Sequence, residues 1–257
     1  MLNQSISRTR HEEKRTARFM AASTAQNNES RGLTSFSLKV VAIVAMTCNH
    51  ASYIFQDQLG FPLYCVLEGV GGLTFPIMAF LITEGYRYTS NVKRYMARLA
   101  VFALIAQVPF FLFLDARGNV LFTLLIGLTL LYLHDQLANR AAFWAVAALG
   151  ALASLCCDWG FIGVIMILIG GLMQTKRERA LYGPFVAALG IGLPAAIGLP
   201  SDFFAALPQL LYAVGCAAAG LLILGYNGQR GRPLKWFFYL YYPAHIAVLG
   251  LWHYLAF

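Results

Sequence analysis

From Gly32 onward the chain is almost continuously apolar, and the short polar segments that interrupt it are alternately basic and acidic. A membrane helix takes about 20 apolar residues, and nine stretches of that order follow one another: 36–56, 62–83, 95–114, 119–134, 141–157, 159–173, 181–199, 203–225 and 236–256. The fourth to sixth are short, which suits helices that tilt little or stop short of one surface. Backbone N–H and C=O groups find no water in the bilayer core, so the expectation is an all-α, polytopic bundle. Composition agrees: 12% of residues are charged, against about 25% in soluble domains. A soluble enzyme, a disordered regulator and a DNA-binding module are thereby excluded. The net charge of +8 reads as membrane-topology bias and contact with anionic lipid, with no nucleic-acid partner expected.

Charge placement tests the span count independently. With the N-terminus inside, the inner segments are 1–35, 84–94, 135–140, 174–180 and 226–235. Together with the adjoining helix ends they carry 18 of the 19 Lys and Arg residues, leaving only Arg117 outside. The outer segments carry Asp57, Asp115, Asp158 and Asp202. This alternation predicts nine spans, N-terminus in and C-terminus out, in a multi-pass membrane protein. Residues 1–33 lack the apolar core of a signal peptide. They read as a polar, basic cytoplasmic tail, the alternative being a short helix on the membrane surface; residues 34–257 read as a single transmembrane domain. The five cysteines include no CxxC pair, so neither a metal site nor a disulfide framework is expected.

An ionisable side chain within a bilayer is costly and marks a candidate site. His50 lies in the first span, where Lys39, Thr47, His50, Tyr53 and Asp57 fall along one helical stripe that should face a cavity, with Asn49 adjacent. Glu68 lies in LEGVGGLTFP, a segment that reads equally well as a glycine-rich packing face. His245 lies near the middle of the last span, on one side with Tyr241 and Tyr242, and Pro243 interrupts the helical hydrogen bonding there. An interhelical hydrogen bond would be the plain structural role for His50, and an aromatic packing cluster for His245. On the inner side, Arg87, Lys93, Arg94 and Arg98 could hold phosphates, Arg98 being deeper than topology requires, with Gln107 further along the same span.

The segments LKVVAIVAMTCNH, FPIMAFLITEGYRYTSNVKRYMARL, GNVLFTLLIG, WGFIGVIMIL and FFYLYYPAHIAVLG, in that order over about residues 36–252, resemble the TraX family of inner-membrane pilin N-acetyltransferases of conjugative plasmids. The resemblance implies transfer of acetyl from cytoplasmic acetyl-CoA to the N-terminal amine of a conjugative pilin subunit. It matches His50, and His245 with its preceding aromatic Tyr242, to the family's histidines, and it matches Arg98, Gln107 and Asn119 to the family's RL, Gln and GN positions. Two positions depart: Asn49 stands where the family usually has Asp, and Gly72 where it often has Arg.

On this reading His50 is the base, and His245 a second base or a donor to the oxyanion. Tyr242 and Asn49 orient the imidazoles, and Glu68 completes the catalytic set. Arg98, Arg94, Lys93, Arg87, Gln107 and Asn119 serve the donor, with no metal. Alternative functions are another pilin-maturation step, such as a different acceptor or head-to-tail closure, and a non-enzymatic assembly or transport role.

Overall fold

The computed structural model describes residues 32–257; the tail expected over 1–33 lies almost entirely outside these residues. The described chain is helical throughout, in the order α1 (Ser35–Ile54), α2 (Phe61–Gly71), α3 (Thr74–Tyr88), α4 (Val92–Phe113), α5 (Val120–Gln136), α6 (Arg140–Ser154), α7 (Gly160–Leu172), α8 (Lys176–Gly198), α9 (Phe203–Leu224) and α10 (Lys235–Ala256). The polar residues at the span boundaries act as N-caps. Thr34, Asn91, Asn119, Asn139 and Asp202 each accept a backbone N–H of the following helix, and Thr175 with Glu178 forms a capping box. Such caps satisfy donors that lipid could not.

The nine apolar stretches correspond one for one to these helices, with one correction. The second stretch is a pair, α2 and α3, broken at Gly72–Leu73. Pro76, four residues on from Gly72, has no N–H to give the Gly72 carbonyl, and the glycines here also allow close packing. A Cβ at Gly72 would lie 2.0 Å from the Tyr212 carbonyl oxygen, and one at Gly215 would lie 2.0 Å from the Gly69 oxygen. The glycines therefore bring the backbones of α2 and α9 together as no larger residue could. The segment from Phe61 to Tyr88, α4, α8 and α9 are long and apolar enough to cross a membrane by length and composition, whereas α5, α6 and α7 are shorter apolar helices.

The basic segments meet at one end of the bundle. Leu33 and Ser35 donate backbone N–H groups to Gly225 and Gln229, and Asn227 donates back to Leu33. Lys176 donates to the Tyr226 carbonyl, Arg87 to the carbonyls of Gly171 and Met173, and Arg179 pairs with Glu84 at 3.4 Å. At the opposite end, the segment around Arg117 joins the turn between α6 and α7 through a bridge between Gly118 and Cys157. Basic segments thus cluster at one end, as the positive-inside pattern requires. The core between them is aliphatic and aromatic, with Phe75, Leu124, Leu128, Phe143 and Ile167 fully enclosed.

Candidate active site

A cavity of about 800 Å³ runs through the bundle. It follows α1 from Ser35 to His50, a rise of about 22 Å at 1.5 Å per residue. Its mouth, at the basic end, is lined by Lys39, Arg94, Arg98, Arg230, Arg232 and Lys235. Its middle is apolar, with Ile43, Met46, Phe75, Met78, Ile82 and Leu124. Its far end holds Asn49, His50, Asp158, Trp159, Tyr212 and Tyr242. The polar stripe expected on α1 is therefore divided. Lys39 and His50 face the cavity, but the positions between them that do so are Ala42, Ile43, Met46 and Asn49. Thr47 turns to α10, where the Tyr241 hydroxyl meets its oxygen at 2.7 Å, and Tyr53 is 53% exposed.

At the far end two buried imidazoles meet: His50 Nδ1 and His245 Nε2 are 2.7 Å apart. Their ring centroids are 4.9 Å apart and their planes differ by 7°. With the nitrogens in contact, this is the edge-to-edge geometry of an in-plane hydrogen bond. His245 Nδ1 lies 2.8 Å from the Tyr241 carbonyl oxygen, which can only accept. His245 therefore carries its proton on Nδ1 and offers the Nε2 lone pair. His50 must donate from Nδ1, which leaves His50 Nε2 with a free lone pair. Of the two rings, only His50 lines the cavity. Tyr241 also stacks on His245, with centroids 5.0 Å apart and planes at 14°, so its ring and carbonyl orient the pair.

The other expected residues divide by position. Glu68 is buried and accepts from Asn49 Nδ2 at 3.0 Å and from the Ser52 hydroxyl. It ties α2 to α1 and touches the cavity wall only through Asn49. Asn49 has Glu68 as its partner, so the expectation that it orients an imidazole gives way to a different arrangement. An Asp at position 49 would place a second carboxylate against Glu68 in place of a donor, which explains why Asn suits this chain. Tyr242 does stand beside His50, with centroids 6.0 Å apart, and its hydroxyl is buried without a hydrogen bond among the described residues.

Arg98 and Arg94 line the mouth, whereas Lys93 and Arg87 do not. Arg87 is committed to carbonyls at the C-terminal end of α7. Gln107 and Asn119 lie at the opposite end from the basic mouth. Gln107 Oε1 accepts from Asn119 Nδ2 at 2.9 Å and from its backbone N–H at 3.0 Å, and Asn119 also donates to the Ala103 carbonyl. Their hydrogen bonds are fully used in joining α4 to α5, so they are removed from the donor set.

Lys39 belongs to the stripe expected to face a cavity, whereas Arg230, Arg232 and Lys235 are legible in the sequence only as topology charges. They become mouth residues because the segment before α10 folds back on residues 33–36. There Gly231, at φ 68°, has no room for a Cβ beside the Thr34 hydroxyl. Asp158, Trp159 and Tyr212 gave no sequence signal beyond one outer acidic residue.

Among the described residues no group of three His, Cys, Asp or Glu side chains is placed to hold a metal ion. The cavity suits a long ligand that is anionic at one end and apolar along its arm. Arg98 Nε and Thr74 Oγ1 are buried on its wall without hydrogen bonds among the described residues, as is the Tyr242 hydroxyl deeper in.

Residues 35–253 match the family model described as TraX protein. The chain is 33% identical over 238 residues to the probable fimbrial assembly protein FimC, serogroup H1, of Dichelobacter nodosus, covering 84% of this chain and 94% of that protein. It is 27% identical over 225 residues to protein TraX of Escherichia coli, covering 83% of this chain and 85% of that one. No solved structure matches the chain.

Proposed function

The chain belongs to the TraX family, and from that membership and the shape of the cavity we propose that it is a membrane-embedded acetyltransferase of pilus-subunit maturation. Acetyl-CoA is the donor and the N-terminal amine of a pilin is the acceptor. The name of the Dichelobacter relative, a fimbrial assembly protein, supports a pilus subunit as acceptor. The observation that carries the reading is the free His50 Nε2 at the far end of a cavity whose mouth is basic.

Acetyl-CoA enters from the cytoplasmic side. Its phosphates meet Arg98, Arg94, Arg230, Arg232, Lys235 and Lys39, where charge-assisted contacts with guanidinium groups are strongest. Its pantetheine arm lies along the apolar middle, and the thioester reaches His50. The acceptor amine, in its neutral form, attacks the thioester carbonyl carbon. His50 Nε2 takes the proton that nitrogen loses as the C–N bond forms. The positive charge on His50 is shared through Nδ1–H with His245, which is held by the Tyr241 carbonyl. The Tyr242 hydroxyl, on the ring beside His50, donates to the oxyanion. Collapse breaks the C–S bond, and the CoA thiolate leaves with the proton returned from His50.

The test is the intact mass of the pilin from cells with and without this gene, and with the His50→Ala variant. A gain of one acetyl group that depends on the gene and on His50 supports the reading. Loss of one water would mean head-to-tail closure, and an unchanged mass would mean a non-enzymatic role; either overturns it.

A further inference from the structure

Asp158 lies at the far end of the cavity, and the chemistry assigned to His50 makes no use of it. It sits in the turn between α6 and α7 and lines the cavity beside Trp159, Tyr212 and Tyr242. Its backbone is pinned on both sides: the N–H donates to the Gly118 carbonyl at 2.7 Å, and the carbonyl accepts from the Thr123 hydroxyl. The carboxylate takes little part in this anchoring. Oδ1 accepts from the Trp159 N–H at 2.9 Å, and Oδ2 has no hydrogen bond among the described residues. Arg117 is the cation within electrostatic reach, but its guanidinium is committed to Asp115 through Nε at 2.9 Å and Nη2 at 2.7 Å.

The next residue shows what this turn accommodates. Among the described residues Trp159 is the one non-glycine with positive φ, at 65°. A bulky side chain holds that conformation only against strain, and here it sits at a cavity wall. The indole stacks on Phe75, with centroids 4.2 Å apart and planes at 13°, and it stands 6.0 Å from the Tyr212 ring. A carboxylate with a free oxygen, beside the π faces of an indole and a phenol, is the environment that takes a compact organic cation. A metal ion would want several oxygen ligands, and a neutral or anionic group would leave the carboxylate unpaired.

We propose that Asp158, with Trp159 and Tyr212, forms an ammonium subsite at the outer end of the cavity, where a primary amine docks before transfer. This rests on the acetyltransferase reading above and adds to it the means of amine capture. The ammonium donates to Asp158 Oδ2 and lies against the two rings. Docking moves no proton; the ammonium then releases one proton to water to become the attacking neutral amine, and His50 takes the second as the C–N bond forms. Asp158 is thus a binding residue for the acceptor, separate from the donor contacts at the mouth.

The test uses the full chain in nanodiscs, with Trp144, Trp236 and Trp252 replaced by Phe so that Trp159 is the sole tryptophan; all three replaced residues are exposed. The probe is alanylglycine amide, which has a free amine, and its N-acetylated form is the control. No acetyl-CoA is present. Saturable change in Trp159 fluorescence with the free amine, absent with the acetylated form and weakened about tenfold or more by Asp158→Asn, supports the subsite. Asn keeps the backbone bonds and the acceptor for Trp159 N–H, so folding is not at issue, and Asp158→Glu should restore part of the binding. No saturable response in the parent protein, or equal binding by Asp158→Asn, overturns the proposal. If binding depends on Asp158 but pilin mass never changes, the amine subsite stands and the acetyltransferase reading fails. If pilin is acetylated normally in Asp158→Asn, the reverse holds.

Discussion

His50 and His245 share one in-plane hydrogen bond of 2.7 Å, and the Tyr241 carbonyl decides which nitrogen of each ring carries a proton. The two histidines are 195 residues apart in sequence and work as a single unit with one free lone pair. That arrangement separates their mutational effects.

His50→Ala removes the lone pair that faces the cavity. Acetyl transfer should fall by about 10²–10⁴, the usual contribution of a positioned general base, with the protein still present in the membrane. His245→Gln keeps an acceptor near His50 Nδ1 but loses the second imidazole, and should cost less. Single-turnover rates at saturating acetyl-CoA measure both. Equal losses would mean that His245 is itself the base.

Arg98→Ala should raise the KM for acetyl-CoA about tenfold, the scale of one charge-assisted hydrogen bond at about 1.5–3 kcal/mol. Arg230→Ala should raise it a few-fold. Lys93→Ala and Arg87→Ala should leave it nearly unchanged, because neither side chain lines the cavity. The KM for the acceptor should not move in any of the four. A normal donor KM in Arg98→Ala with weakened acceptor binding would reverse the assigned direction of the cavity.

Capture of an amine by Asp158 should depend on pH. Asp158 as a residue is only half-buried, but its carboxyl is enclosed by protein, which pushes it up to about 6 against the opposing pull of Arg117. Arg117, Asp115, Tyr53, Cys157, Tyr212 and Tyr242 are the groups that face it electrically. Ammonium binding needs the charged carboxylate, so it should be full near pH 7.5 and should decline as pH falls through about 6. The linkage to folding has the opposite sign. The folded chain holds this proton more tightly than the unfolded chain, so the stability contributed here is greatest below about pH 4 and is lost as pH rises towards 6. Titration of the Trp159 fluorescence response, with Asp158→Asn as a flat control, measures the first effect.

Gly72→Ala and Gly215→Ala should each lower stability by at least about 1–3 kcal/mol, the usual cost of overpacking a close contact. The added methyl would stand 2.0 Å from a backbone oxygen in each case, and backbone cannot turn aside as a flexible side chain can. Thermal melting in detergent should show both drops, while Gly198→Ala, which has open space, should melt like the parent. Equal melting for all three would mean that α2 and α9 do not approach so closely.

The helices and the end of the bundle at which each polar segment lies follow from sequence alone. Lipid forces every long apolar run to satisfy its own backbone as a helix, and the charges on the connecting segments fix which ends face the same way; both are properties of contiguous residues. The candidate status of His50, His245 and Arg98 was likewise legible, because an ionisable group amid apolar neighbours is costly wherever it later points. Tertiary structure decided the rest, because it depends on which helix lies against which. Only the packing of α1 on α10 makes the two imidazoles partners. Only the packing of α2 on α1 binds Glu68 to Asn49, and only its crossing of α9 sets the glycine run against another backbone. Only the folding back of the segment before α10 carries Arg230 and Arg232 to the mouth, while Gln107 and Asn119 satisfy each other at the far end. Asp158 could not be distinguished from the other outer carboxylates, since its free oxygen and aromatic walls come from residues on α3, α9 and its own turn that meet only in the folded chain.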